Sequence, residues 1–278
     1  MGGKETTVNP FLQFLIYYLQ LILLTLGLFV LCGFAVYLLS RAFSALLGQG
    51  RSRRFFDVTA AIGTPVHELG HAIMCPIFAH KITKICLWNP KAEDGLYGYV
   101  EHSYSRKNLW ARLGNLFIGL GPLFSGLGVT VFILWLCFPD LWGEYLAHSH
   151  ALVVSADLPV RDLAEGVFSL FGGIPGAFRS DWLRSLLGVI IILPVSLHVT
   201  LSGQDIRGSL SALPLYCVLM LLPALATAWN NGRPAVQSFL WLMNIRLLSL
   251  FILVIAFAAA WVAVALIYRA IRTVVGWF

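Results

Sequence analysis

Charge is what this sequence has least of: 12% of its 278 residues are Asp, Glu, Lys or Arg, about half the share found in soluble domains. That scarcity excludes a well-hydrated globular surface. Cysteine supplies no disulfide framework either. Cys32, Cys75, Cys86, Cys137 and Cys217 are odd in number and sit mostly inside apolar runs, the pattern of small hydrophobes. The formal charge of +6 lacks the aromatic-interleaved basic surface of a nucleic-acid partner. Its carriers (Arg51, Arg53, Arg54; Arg106, Lys107, Arg112; Arg269, Arg272) flank apolar segments, where they read as topology determinants and contacts to anionic lipid. No small-residue cleavage site follows the first apolar run, which is also too long for a signal peptide, so it is expected to be retained.

What is abundant is hydrophobicity. Hydrophobic residues make up 59% of the chain and mean hydropathy is +0.81, and several apolar runs exceed the roughly 20 residues that a helix needs to cross a bilayer. The expected fold is an α-helical polytopic membrane protein, a single membrane domain over 1–278 with about six segments. The first covers about 10–39, the second 55–80 and the third about 113–138. The fourth runs from 182 to a break at Ser202-Gly203, and the fifth and sixth cover about 213–229 and 239–268. Between the second and third, KITKICLWN and GLYGYVEHSY are short runs with partial alternation joined by the polar PKAEDG, which predicts a β-hairpin. Residues 139–181, with Asp140, Glu144, Asp157, Asp162, Glu165 and Asp181 against Arg161 and Arg179, read as an acidic extramembrane loop with room for an amphipathic surface helix.

The second segment carries the chemistry. His67-Glu68-Leu69-Gly70-His71 is an HExxH motif, and on an α-helix its two histidines share a face, so both reach one metal. With 7 histidines in the chain, composition alone would produce such a motif roughly 0.4% of the time. Ionisable groups inside an apolar helix are costly unless paired or metal-bound. Zinc suits two imidazoles, and Glu68 beside the first ligand is the expected catalytic base and acid. A third protein ligand is required. Asp205, just after the Ser-Gly break, and His198, seven residues earlier, both qualify. His198 otherwise reads as a residue behind the ligands or at the substrate. Cys75, His80 and His102 read as a core residue and two water-accessible imidazoles.

These residues resemble the site-2 protease family of intramembrane zinc metalloproteases. HELGH at 67–71, the β-rich stretch after it, Gly121-Pro122-Leu123-Phe124-Ser125 and Asp205 fall in that family's order, over roughly residues 57–210. The chain looks like a divergent member: Ser125 stands where the family usually has Asn, and Ile206 and Arg207 separate Asp205 from Gly208. The resemblance implies one zinc ion on His67, His71 and Asp205, with Glu68 catalytic and Ser125 near substrate. It also implies cleavage of membrane-embedded or membrane-associated peptide substrates that pair with the hairpin edge. The lipid bilayer is the other expected partner, and nucleic acid is not one.

The location implied is integral and multi-pass, with the active site near the cytoplasmic face. The distribution of positive charge makes the HExxH segment re-entrant, whereas the family makes it a full span. A function from another class is a non-catalytic membrane scaffold or transporter built on the same core.

Overall fold

The computed structural model describes residues 9–47, 53–90, 97–155, 160–229 and 232–275. Helix α1 (Pro10–Ile22) starts on an Asn9 side chain that accepts from the Phe11 N–H. It runs through a π turn (Leu23–Gly27) into α2 (Leu28–Leu47). Within that turn the Thr25 hydroxyl donates to the Leu21 carbonyl at 2.7 Å, the kind of local competition that loosens a helical ladder.

Helix α3 (Arg53–Ile77) carries the HExxH motif and tolerates Pro65 and Pro76. It is followed by strands β1 (Lys81–Cys86) and β2 (Tyr99–Ser103), an antiparallel pair with an irregularity between Ile82 and Lys84. The expected hairpin is therefore present, and its tip at 91–96 lies outside the described residues. Tyr97 ties its base to α3 by donating to Asp57 Oδ1 at 2.5 Å.

The third expected segment is two helices. Helix α4 (Leu109–Gly119) is capped by the Asn108 carboxamide, and α5 (Gly121–Cys137) begins at Gly121-Pro122. The two meet at 53°. Proline removes one ladder hydrogen bond and clashes with the preceding turn, so the chain restarts there instead of continuing straight.

Residues 139–181 form two helices, not a loop: α6 (Pro139–Ser155) and α7 (Val160–Ser180). Their Leu141, Tyr145 and Leu170 are buried in one cluster with Ile192 and Leu253. The acidic character hid an apolar face; the side chains of Asp157, Arg161 and Asp162 lie outside the described residues.

Helix α8 (Trp182–His198) is capped by Asp181. The chain then leaves helical geometry over 199–202, and α9 (Gly203–Trp229) and α10 (Arg233–Val275) complete the fold. The principal core gathers Val36, Leu116, Leu123, Val195, Tyr216 and Phe251 from six helices.

Among the described residues, three helical stretches are long and apolar enough to cross a membrane: Pro10–Leu47, Gly203–Trp229 and the last helix. The bent α4–α5 pair would make a fourth. Six such spans are not seen by that criterion, because α8 has only 17 residues and α3 is interrupted by polar groups. Large apolar side chains such as Leu31 (67% exposed), Leu222 (66%) and Phe239 (61%) stand on the outer surface. So much exposed apolar surface is what a lipid environment accommodates and water does not.

Candidate metal centre

The two motif histidines project from α3 toward the first turn of α9. His67 Nε2 and His71 Nε2 lie 3.2 Å apart, and the Asp205 carboxylate approaches them at 3.6 and 3.2 Å respectively. Tetrahedral coordination with zinc–ligand bonds of 2.0–2.1 Å spaces its ligand atoms about 3.3 Å apart. The observed triangle has that size.

The ring tautomers point the same way. His67 Nδ1–H donates to the His198 carbonyl at 3.0 Å, and His71 Nδ1–H donates to the Ile118 carbonyl at 2.7 Å. A carbonyl only accepts, so each Nδ1 carries a proton, which leaves Nε2 as the ring atom that would ligate a metal. Two such lone pairs and a carboxylate facing one another at hydrogen-bond distance repel unless a proton or a metal cation lies between them. Backbone carbonyls holding the far ring nitrogens are how proteins orient imidazole ligands. The donor set thus fits zinc by chemistry as well as by spacing.

Asp205 reaches the site because the helix is broken before it. Ser202 caps α9: its Oγ accepts from the Asp205 N–H at 3.2 Å, while Asp205 Oδ2 accepts from the Ser202 N–H at 2.7 Å. This reciprocal pair is a capping box with Asp at its third helical position, and it aims the carboxylate at α3. Arg207, two residues on, donates to the Gly203 carbonyl.

His198 does not join the group of possible ligands, which among the described residues is His67, His71 and Asp205. Its ring Nδ1–H donates back to the Pro194 carbonyl and its ring packs over Gly63, where a Cβ would lie 2.4 Å from Cγ. It serves the site through its backbone carbonyl. The helix break between His198 and Asp205 is what separates their roles.

Close backbone contact sets the depth of the site. A Cβ on Gly70, inside the motif, would lie 2.4 Å from the Gly121 carbonyl oxygen, and one on Gly121 would lie 2.6 Å from that of Gly70. The motif helix and the α4–α5 corner can therefore meet only through glycine.

A cavity of about 260 Å³ opens onto the triangle, walled by Glu68, Tyr99, Glu101, His102, Asn115 and Gln204 together with the three ligand candidates. Glu68 is 7% exposed and packs against the start of β2, where a Cβ on Gly98 would touch its Cγ at 2.8 Å. Ser125, expected near substrate, is not among the described lining residues. Its hydroxyl donates to the Pro122 carbonyl and sits behind Gly70. The amides that line the cavity are Gln204 on α9 and Asn115 on α4, the latter a lone polar side chain in an apolar run. That isolation is the sequence signal by which it could have been found. Cys75 is fully buried, as expected of a core residue, and all five cysteines are free. His80, expected to reach water, is only 5% exposed.

Comparison with protein-family models, curated proteins and solved structures finds no match.

Proposed function

We propose that this chain is an intramembrane zinc endopeptidase of the site-2 protease type. The observation that carries the reading is the convergence of His67, His71 and Asp205, drawn from two distant helices, in a cavity that Glu68 also lines. A single zinc ion held by those three residues would polarise a scissile carbonyl and make a water more acidic.

The protein's own groups supply the rest. Glu68, adjacent to the first ligand, takes a proton from the attacking water and returns it to the leaving amine. Among the described residues β2 pairs with β1 on one edge only, in a two-stranded sheet, and its residues Tyr99 to His102 line the cavity. An extended peptide adds to such an edge through main-chain hydrogen bonds, which brings its carbonyl past Glu68. Asn115 and Gln204 line the cavity and are the amides available to hold substrate. Because an extended chain is needed, a helical membrane substrate must unwind to be cut.

In this reading α3, the α4–α5 pair and α8 join the three long spans in an arrangement of about six membrane segments. The capped start of α9 then lies near the cytoplasmic face, with membrane-embedded or membrane-associated proteins as substrates.

Glu68→Gln is the decisive variant. Zinc content should remain at one ion per chain while cleavage of a quenched-fluorescent hydrophobic peptide by the micelle-embedded protein disappears. Retained cleavage would overturn the mechanism, and a wild-type chain purified zinc-free without chelator would favour a non-catalytic scaffold or transporter.

A further inference from the structure

Two histidines outside the metal group form a hydrogen-bonded chain that ends in the same cavity. Helix α3 closes through a left-handed Ala79 (φ 57°), with the His80 N–H donating to the Cys75 carbonyl at 2.8 Å. This turn sets the buried His80 ring against α4. Its Nε2–H donates to the Ala111 carbonyl at 2.7 Å, in a space that Gly114 keeps open, since a Cβ there would come within 3.2 Å of Nε2. Tyr104 stacks on the ring with centroids 4.5 Å apart.

Those contacts fix the protons. A carbonyl cannot donate, so Nε2 of His80 carries a hydrogen, and with one proton per ring His80 presents a lone pair at Nδ1. His102 Nδ1 lies 2.8 Å from that lone pair and must be the donor. The remaining His102 atom able to act is Nε2, and His102 lines the metal cavity beside Glu68 and Asn115. Burial, then the neighbouring His80 and His71, push the His102 imidazolium toward its neutral form, which leaves Nε2 an acceptor.

The cavity wall is rich in acceptors and poor in strong donors. Glu68, Glu101 and Asp205 contribute carboxylates, and neither Lys nor Arg is among the described lining residues. The ligand chemistry that matches it is an N–H donor, and a peptide laid along β2 brings one such group per residue.

We propose that His102 is a substrate-binding residue, accepting at Nε2 a hydrogen bond from a backbone N–H of the bound peptide, and that His80 is the positioning residue that holds its ring. The inference rests on the peptidase reading given above. Two imidazoles in series achieve what one cannot here: the buried first ring fixes the tautomer, and the half-buried second ring meets the substrate.

The test uses the full chain in detergent micelles with Glu68→Gln to prevent turnover, and a fluorescein-labelled hydrophobic peptide read by anisotropy. His102→Phe should weaken binding about tenfold at unchanged zinc content. His102→Gln, which retains an acceptor, should recover to within about threefold of the parent, and His80→Phe should cost about threefold.

N-methylating the peptide at one backbone position after another separates contact from structure. One N-methyl group should weaken binding to the parent and have no further effect on His102→Phe, a coupling that a packing role would not produce. Equal N-methyl penalties in both proteins, or unchanged affinity in His102→Phe, overturn the proposal. If the Phe variant does not fold, His102→Leu carries the same cycle with the same two outcomes. A Glu68→Gln chain that still cleaves the peptide, or a parent that does not bind it, overturns the peptidase reading instead.

Discussion

The motif helix and the long outer helices solve opposite problems. Around α3 the ligand candidates are held by directed hydrogen bonds: His67 on the His198 carbonyl, His71 on the Ile118 carbonyl, Asp205 on Ser202. The backbones there touch through Gly70 and Gly121. Along α1–α2 and α10 the requirement is apolar length. Leu23, Leu31 and Val274 are 67%, 67% and 86% exposed, and such positions ask only for a hydrophobic side chain of roughly the right size. The inner region is specified atom by atom and the outer one by amount. Sensitivity to single substitutions should therefore fall steeply between them.

The largest effect is expected at the ligand triangle. Asp205→Ala leaves two imidazoles without a carboxylate, so zinc affinity measured by competition with a chelator should fall by at least about a hundredfold, beyond the 10–100-fold typical of losing a partner behind a ligand. Affinity within threefold of wild type would break the contrast at its centre. Next comes Gly70→Ala. Its new methyl group would sit 2.4 Å from a backbone oxygen that cannot rotate away, so the helices must separate at a cost of about 2–3 kcal/mol. A lower Tm together with lost zinc checks this, and an unchanged Tm would mean the helix contact is looser than described.

Much of the inner region was legible because its chemistry leaves few options. The HExxH spacing places His67 and His71 on one face wherever the helix sits, and Asp205 was marked by standing alone next to a Ser-Gly break. The hairpin showed through its turn residues and short β-rich runs. What escaped is what depends on backbone atoms and on non-local fit. No pattern of residue types announces that the Ile118 and His198 carbonyls orient the histidines, because every residue has a carbonyl. Ser125 was expected near substrate and Asn115 was not singled out, for a related reason: the α4–α5 corner at Gly121-Pro122 turns Ser125 toward Gly70 and leaves Asn115 lining the cavity. The helices α6 and α7 were hidden by acidic residues such as Asp140, Glu144 and Glu165, which stay exposed while Leu141, Tyr145 and Leu170 are buried. Hydropathy suggests about six segments where length and composition single out three helices, or four with the bent α4–α5 pair, because a run of apolar residues shows neither the bend at Leu120 nor the polar interruptions of α3.

The smallest effects distinguish amount from arrangement most finely, because Ser202→Ala and Leu222→Ala each remove little. Ser202 Oγ accepts one hydrogen bond, from the Asp205 N–H. Losing a helix cap of this kind costs about 1 kcal/mol, and here the cap also aims a ligand. Zinc affinity should fall about tenfold, as when a residue behind a metal ligand is lost, while Tm moves by only a few degrees. Leu222 removes more atoms but is 66% exposed on α9, so Leu222→Ala should change stability by less than about 0.5 kcal/mol and leave zinc affinity untouched. A Leu222 variant that loosened zinc as much as the Ser202 variant would show that α9 transmits strain from its outer surface to its first turn. The two regions would then form one mechanical unit, and the contrast between them would be one of degree.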